Sequence, residues 1–276
     1  MNLVKTLPIM LSLLAPLAVN AQIAGSASAA HAPLGLEQVL SNLEQRNSER
    51  AAALEQFEGT RTYRMEYRGF PGDKQAEMVV KVTFRAPSSK AFTVVSQTGS
   101  PFVIDHVFRK LLDSEREAMK AENLNDMALT RQNYDFQLID YQVAPEGPQY
   151  VLKIQPKTKN RFLYRGKIWV DAKDFAVVRI EGEPGKNPSM WIKKTDITHR
   201  YAKVDDFWLP VENHTESYTR LGGKATLSIE YENYRIIKSV TLDAARKRRG
   251  NRERSLSGAS DASNILITRI APSGTP

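Results

Sequence analysis

The sequence predicts a mainly β protein with a few helices, and three observations predict it. Apolar and polar residues alternate with period two from Tyr63 to about Ile237. Clusters of turn-forming residues interrupt that alternation, as in Phe70-Pro71-Gly72-Asp73, Ala86-Pro87-Ser88-Ser89, Asp171-Ala172-Lys173-Asp174 and Gly222-Gly223. Helical spacing of apolar residues is confined to two stretches.

Near its start the chain carries Lys5, followed by a thirteen-residue, mostly apolar stretch from Leu7 to Val19. Val19-Asn20-Ala21 then places small or β-branched residues before Gln22, which is the order of a secretory signal. The stretch carries Pro8 and Pro16 and falls short of the roughly 20 apolar residues that a membrane span needs. A cleaved signal over residues 1–21 is expected, with an uncleaved anchor as the alternative. No later segment reaches spanning length, so the exported chain is expected to be soluble. It has no cysteine, hence no lipid-attachment cysteine, disulfide framework or thiolate metal site.

Residues 22–33 are rich in Ala, Ser and Gly and read as a flexible leader. One domain is expected over residues 34–239, long enough to bury a real core. Its first element is an amphipathic helix, about Leu36 to Phe57, with Leu36, Val39, Leu40, Leu43, Leu54 and Phe57 on one face and a polar gap at Arg46, Asn47 and Arg50. Gly59 is expected to end it. Strands follow around Tyr63–Tyr67, Met78–Phe84 and Phe92–Val95. Residues 107–122 change character and predict a short helix on Val107, Leu111, Leu112, Ala118 and Met119. Seven more strands are predicted, at Tyr134–Tyr141, Tyr150–Gln155, Phe162–Val170, Phe175–Glu181, Trp191–Tyr201, Phe207–Tyr218 and Ala225–Ile237. One apolar face per strand is the signature of a curved antiparallel sheet packed on one side.

The formal net charge is +8, and most of it sits in one place. Arg246, Lys247, Arg248, Arg249, Arg252 and Arg254 stand against Glu253 alone, and with Lys5 assigned to the signal this leaves about +2 for the rest of the chain. This run opens a polar tail over residues 240–276, expected to be mostly disordered, in which only Ile265-Leu266-Ile267 could dock as a strand. No aromatic residue interleaves with the basic run, which argues against nucleic acid. Six cations without an apolar face can instead lie on an anionic membrane surface; the bland reading is a solvated tail.

Catalytic motifs are missing. No His-Glu-x-x-His, Gly-x-Ser-x-Gly or phosphate-binding Gly-x-x-x-x-Gly-Lys occurs, and a hydrolase finds no support. His214-Thr215-Glu216 matches half of a deaminase signature whose cysteines the chain lacks. His106 is placed in a turn. His199 and His214 fall on neighbouring strands and could share a metal, but no carboxylate or cysteine recurs at ligand spacing, so they read as ordinary strand residues. No catalytic residue, metal or cofactor is expected. Trp169, Trp191 and Trp208 lie on or beside strands, and the apolar face must be covered. The space under that cover is either packed core or a lipid-sized cavity, and the pattern leaves both open.

Several stretches resemble a group of bacterial outer-membrane lipoprotein-sorting proteins related to the periplasmic carriers LolA and LolB. They are Asn133-Tyr134-Asp135-Phe136, the segments 162–171, 174–184 and 186–189, Phe207-Trp208-Leu209-Pro210, and the strand around Ile229-Glu230-Tyr231. The resemblance runs from about Leu36 to Ser239; the basic tail is no part of it. It implies an incomplete, half-open antiparallel barrel of about ten to eleven strands, lidded by helices. It also implies a periplasmic, non-catalytic carrier of lipid or lipoprotein acyl chains in a Gram-negative-type bacterium. The wall of such a cavity is expected on Met65, Met78, Val80, Val82, Phe84, Phe92, Val94, Leu152, Ile154, Ile168 and Val170, unless a bulge inverts a strand. The alternative is an envelope sensor or scaffold of the same fold, meeting another periplasmic protein through exposed aromatics such as Trp208 and through the tail.

Overall fold

A computed structural model describes residues 33–187 and 189–238. The predicted signal, the leader up to residue 32, and the tail with Arg246 to Arg254 and Ile265 to Ile267 lie outside the described residues.

The first helix, α1 (Leu36–Ala53), is set by Val39, Leu40 and Leu43, which are buried on one side of it. Gly35 precedes it and donates its backbone N–H to Gln38 Oε1 at 3.3 Å. Glu37 in the first turn and Arg50 in the last both suit the helix dipole. The helix stops before Leu54, four residues short of the expected end. Leu54 and Phe57 fit a helical stripe by spacing, yet they open strand β1 (Leu54–Arg68). The reason is pairing: Phe57 lies opposite Phe84 on one side and Ile236 on the other, and its ring stacks on Phe84 at 5.2 Å. Gly59 terminates nothing. It sits buried inside β1, where a Cβ would come within 3.2 Å of the Tyr234 ring.

Strands β2 (Lys74–Arg85) and β3 (Ser89–Gly99) follow by short turns. In β2 the alternation is fully expressed: Met78, Val80, Val82 and Phe84 are all buried, while Lys81 and Arg85 face water. A helical insert comes next, longer than the sequence suggests. It runs through α2 (Pro101–Val103), a π-helical segment (Ile104–Phe108) and α3 (Arg109–Ala118), then a short α4 (Ala121–Met127). Pro101 at the first helical position marks the true start. His106 is therefore in the π-helical segment, not in a turn, and its ring stacks on Phe102.

The remaining strands are β4 (Tyr134–Ala144), β5 (Gly147–Pro156), β6 (Tyr164–Asp171), β7 (Val177–Pro184), β8 (Ile192–Val204), β9 (Phe207–Thr219) and β10 (Lys224–Lys238). All ten form one antiparallel sheet in the order β3-β2-β1-β10-β9-β8-β7-β6-β5-β4. The sheet does not close, and β3 and β4 are its edges. The fold is thus mainly β, with ten strands in an unclosed sheet and a few helices.

Two covers bury its apolar face. The helical insert supplies Val103, Ile104, Val107, Phe108, Leu111 and Leu112 to a cluster with Tyr63, Met78, Val80, Val82, Phe84 and Ile229. Helix α1 supplies Val39, Leu40 and Leu43 to a second cluster with Leu152, Ile154, Leu163, Ile168, Val170 and Ile180. Each fully buried side chain of this kind contributes about 1.5–3 kcal/mol.

The insert is also fixed by charge. Glu115 of α3 is buried between Arg61 of β1 and Lys90 of β3. Arg61 donates to both carboxylate oxygens, at 2.5 and 3.1 Å, and Lys90 Nζ donates to Oε1. The Arg61 guanidinium also lies over the Tyr231 ring at 4.9 Å. Burial alone pushes the Glu115 carboxyl up, but the charges of Arg61 and then Lys90 outweigh it and bring it down to about 2. A carboxyl held below its unfolded value stabilises the fold above the unfolded pKa, and that stability is lost as pH falls through the folded value. Glu115→Ala strands two buried cations, so chemical denaturation at pH 7 is expected to show a loss of about 3–5 kcal/mol. The variant should also lose part of the wild type's fall in stability between about pH 4.5 and pH 2; equal pH profiles would refute this role.

Candidate functional site

The apolar stripe of α1 runs out after Leu43. Its second half turns Asn47, Arg50 and Ala51 toward the sheet. With no large apolar side chain there, the two core clusters do not meet, and a cavity of about 130 Å³ lies at the seam. Leu54, Phe57 and Phe84 form one wall, and Tyr134, Ile154, Tyr164 and Ile180 another. Met127, Leu129 and Phe162 come from the end of the insert and the loop before β6, while Tyr201, Phe207, Trp208 and Leu209 come from the β8–β9 hairpin.

The wall is apolar although four of its rings carry polar tips, because most of those tips are engaged elsewhere. Tyr134 OH accepts the backbone N–H of Tyr164 at 3.1 Å. Tyr164 OH meets His199 Nε2 at 3.0 Å. Trp208 Nε1 donates to Asp174 Oδ2 at 3.0 Å. Burial raises Tyr134 and Tyr164 above the ordinary phenol range. It lowers the His199 imidazole to about 4, so that ring is neutral at pH 7.

At the mouth, Arg50 ties the last turn of α1 to the β6–β7 turn. Its Nη1 donates to the Asp174 carbonyl at 2.8 Å and its Nη2 to the Phe175 carbonyl at 2.9 Å, with Asn47 Oδ1 as a further acceptor. Burial lowers the Arg50 guanidinium to about 10 against the opposing pull of Asp174, and it stays charged at pH 7. The Asp174 carboxylate is itself held by Lys203 Nζ at 2.5 Å and by Trp208. Helix, turn and hairpin thus meet at one residue. This junction carries no sequence motif. Its only traces are the polar gap in α1 and the turn at Asp171 to Asp174.

Of the residues expected in a cavity wall, Phe84 and Ile154 line the cavity. Met78, Val80 and Val82 lie in the first buried cluster, with Met65 and Phe92 half-buried against it. Leu152, Ile168 and Val170 lie in the second. Val94 shares the face of Val80 by register but is 43% exposed on the edge strand, next to a register shift. Trp208 is half-buried in the cavity wall, not an exposed contact; the exposed tryptophan is Trp191. His199 lies opposite Asn213, and His214 opposite Thr198, so the two histidines project to opposite sides of the sheet and cannot share an ion. Among the described residues no group of three or more His, Asp or Glu could hold a metal, and no helix is long and apolar enough to cross a membrane.

No family model matches the chain, and no curated protein matches it. Solved structures do. An outer membrane lipoprotein-sorting protein domain from Vibrio parahaemolyticus is 12% identical, with 77% of this chain and 98% of that one covered and a TM-score of 0.37. A LolA superfamily protein from Nitrosomonas europaea is 12% identical over 76% and 97%, with a TM-score of 0.32. The MucA/MucB complex of Pseudomonas aeruginosa is matched at 13% identity over 73% and 100%, with a TM-score of 0.24. The structural neighbours thus include proteins of the group that the sequence stretches resemble. What this chain does has to follow from its own geometry.

Arg50→Ala removes two hydrogen bonds to backbone carbonyls from a half-buried cation. A loss of about 1–3 kcal/mol in stability is expected. Amide exchange should quicken over residues 47–54 while Val39 to Leu43, packed on the second cluster, stay protected. Uniform quickening along α1 would show that Arg50 does not fix this end in particular.

Proposed function

We propose that the chain is an exported, non-catalytic binding protein that holds the apolar chain of a lipid or of an acylated lipoprotein in the seam cavity. The observation that carries the reading is a cavity walled by ring faces and aliphatic side chains, at the mouth of which stands one half-buried cation. An apolar chain entering it gains about 0.8 kcal/mol for each methylene buried. At about 130 Å³ the cavity is smaller than the roughly 300 Å³ at which pockets for drug-sized ligands begin. A whole acyl chain therefore needs the Arg50 end of α1 to swing away, and the same motion releases it. A tight grip and easy release then belong to one hinge at Ala53–Leu54, where helix passes directly into strand.

A second reading, recognition of another envelope protein, is favoured by the edge strand β3. From Ala91 to Gly99 it bears no charge, and Val94 and Val95 are exposed, so a partner strand could extend the sheet there. Native mass spectrometry of the protein purified from the periplasm separates the two. Bound lipid that is lost on organic extraction, together with binding of a fluorescent fatty acid, is the expected result. A lipid-free protein that ignores the fatty acid but keeps a stoichiometric protein partner would replace the first reading with the second.

A further inference from the structure

Three hairpin turns stand side by side at the end of β1 remote from Leu54 and Phe57, roughly 40 Å along the strand from the cavity. They join β1 to β2, β9 to β10, and β7 to β8. The first two touch: a Cβ on Gly69, which has φ +142°, would come within 2.6 Å of Gly223 Cα, so the approach itself requires glycine. The second and third are hydrogen-bonded. Arg220 N donates to the Trp191 carbonyl at 2.9 Å and Arg220 Nε to the Met190 carbonyl at 2.8 Å.

Each turn presents large apolar side chains to water. Phe70 is 72% exposed, Leu221 62%, Met190 78% and Trp191 61%. Single exposed apolar residues are ordinary, but four on three touching turns make a continuous rim. The turns are also held in shape. Gly72 N donates to the Gly69 carbonyl at 2.7 Å, Gly69 N to Asp73 Oδ1 at 3.1 Å, and Gly223 N to Thr219 Oγ1 at 2.9 Å. The exposure is built in.

The charge around the rim has a cationic excess. Arg68, Lys74, Lys193, Lys194, Arg220 and Lys224 lie on the turns or on the strand ends beside them, against Glu66, Asp73, Asp196 and Glu216 over the same reach. Arg68, Lys194 and Lys224 pair with Glu66, Asp196 and Glu216 further down the strands. Lys74, Lys193 and Arg220 form no ion pair among the described residues. Phe and Trp at loop tips, with Lys and Arg just behind them, match the layering of an anionic bilayer, where aromatic rings sit at headgroup level and cations meet the phosphates.

We propose that this rim is a membrane-docking edge, which seats Phe70, Leu221, Met190 and Trp191 among the headgroups of an anionic lipid surface. It needs neither the cavity nor the basic run after residue 239. The docked sheet holds the cavity at its far end, roughly 40 Å along β1 from the bilayer.

The test uses the full chain with vesicles of phosphatidylglycerol and phosphatidylethanolamine that carry a dibrominated acyl lipid, and with vesicles of phosphatidylcholine alone. Trp191 emission is isolated as the difference between the wild type and Trp191→Phe. On the anionic vesicles that emission is expected to shift to the blue and be quenched by the brominated chains. Phe70→Ser with Leu221→Ser, both on exposed tips, should cut the quenching at least fivefold, whatever else holds the chain to the vesicle, and leave the unfolding midpoint unchanged. Absence of vesicle binding, binding with Trp191 unquenched, or quenching untouched by the double substitution would each overturn the proposal.

Discussion

A ten-stranded sheet that does not close has one apolar face to cover, and everything else in this molecule answers that requirement. A closed barrel would bury the face against itself. Here two unrelated pieces of chain do it, one entering before the first strand and the other inserted between β3 and β4. Each cover is anchored by its own means. The insert packs seven apolar residues and buries a carboxylate between two cations, while α1 packs three and then relies on hydrogen bonds from Arg50. The unequal anchoring sets where the structure is open. Burial of two cations with one carboxylate is costly to disturb, so the insert is the fixed cover. Hydrogen bonds to two carbonyls at the end of a helix are worth far less, so α1 is the less firmly anchored cover.

The cavity follows from the same shortfall. It is no pocket added to a finished core. It is the place where α1 stops supplying apolar side chains before the insert takes over, and the sheet beneath continues to present Phe57, Phe84, Ile154 and Ile180. The polar tips of the surrounding rings are drawn outward by His199, Asp174 and the Tyr164 backbone, which keeps the interior apolar. One helix serves both regions. Its first half belongs to the core and its second half lines the cavity.

Much of the fold was legible because strands that bury one face announce it residue by residue, and Met78 to Phe84 show this best. What was not legible lies where two periods coincide. Leu54 and Phe57 are spaced for a helix, and only their partners across the sheet make them a strand. Gly59 looks like a stop, yet it lies inside a strand with the Tyr234 ring packed close against it. The helical insert begins at Pro101, a start signal hidden beside an exposed strand. The site was less legible than the fold. Its lining comes from α1, from loops and from most of the strands, so no local pattern gathers it, and Phe84 and Ile154 were reached only because they also belong to regular strand faces. Trp208 misled because a tryptophan beside a turn reads as surface until Asp174 is found to hold its indole.

The seam is either a binding site or imperfect packing. Ala51 lines the cavity from the second half of α1, and Ala51→Phe fills the space without altering the sheet. Titration of wild type and variant with a fluorescent fatty acid decides the matter. If the cavity is the site, the variant loses at least tenfold in affinity while its thermal midpoint holds or rises. Equal affinities in a stably folded variant would contradict the account.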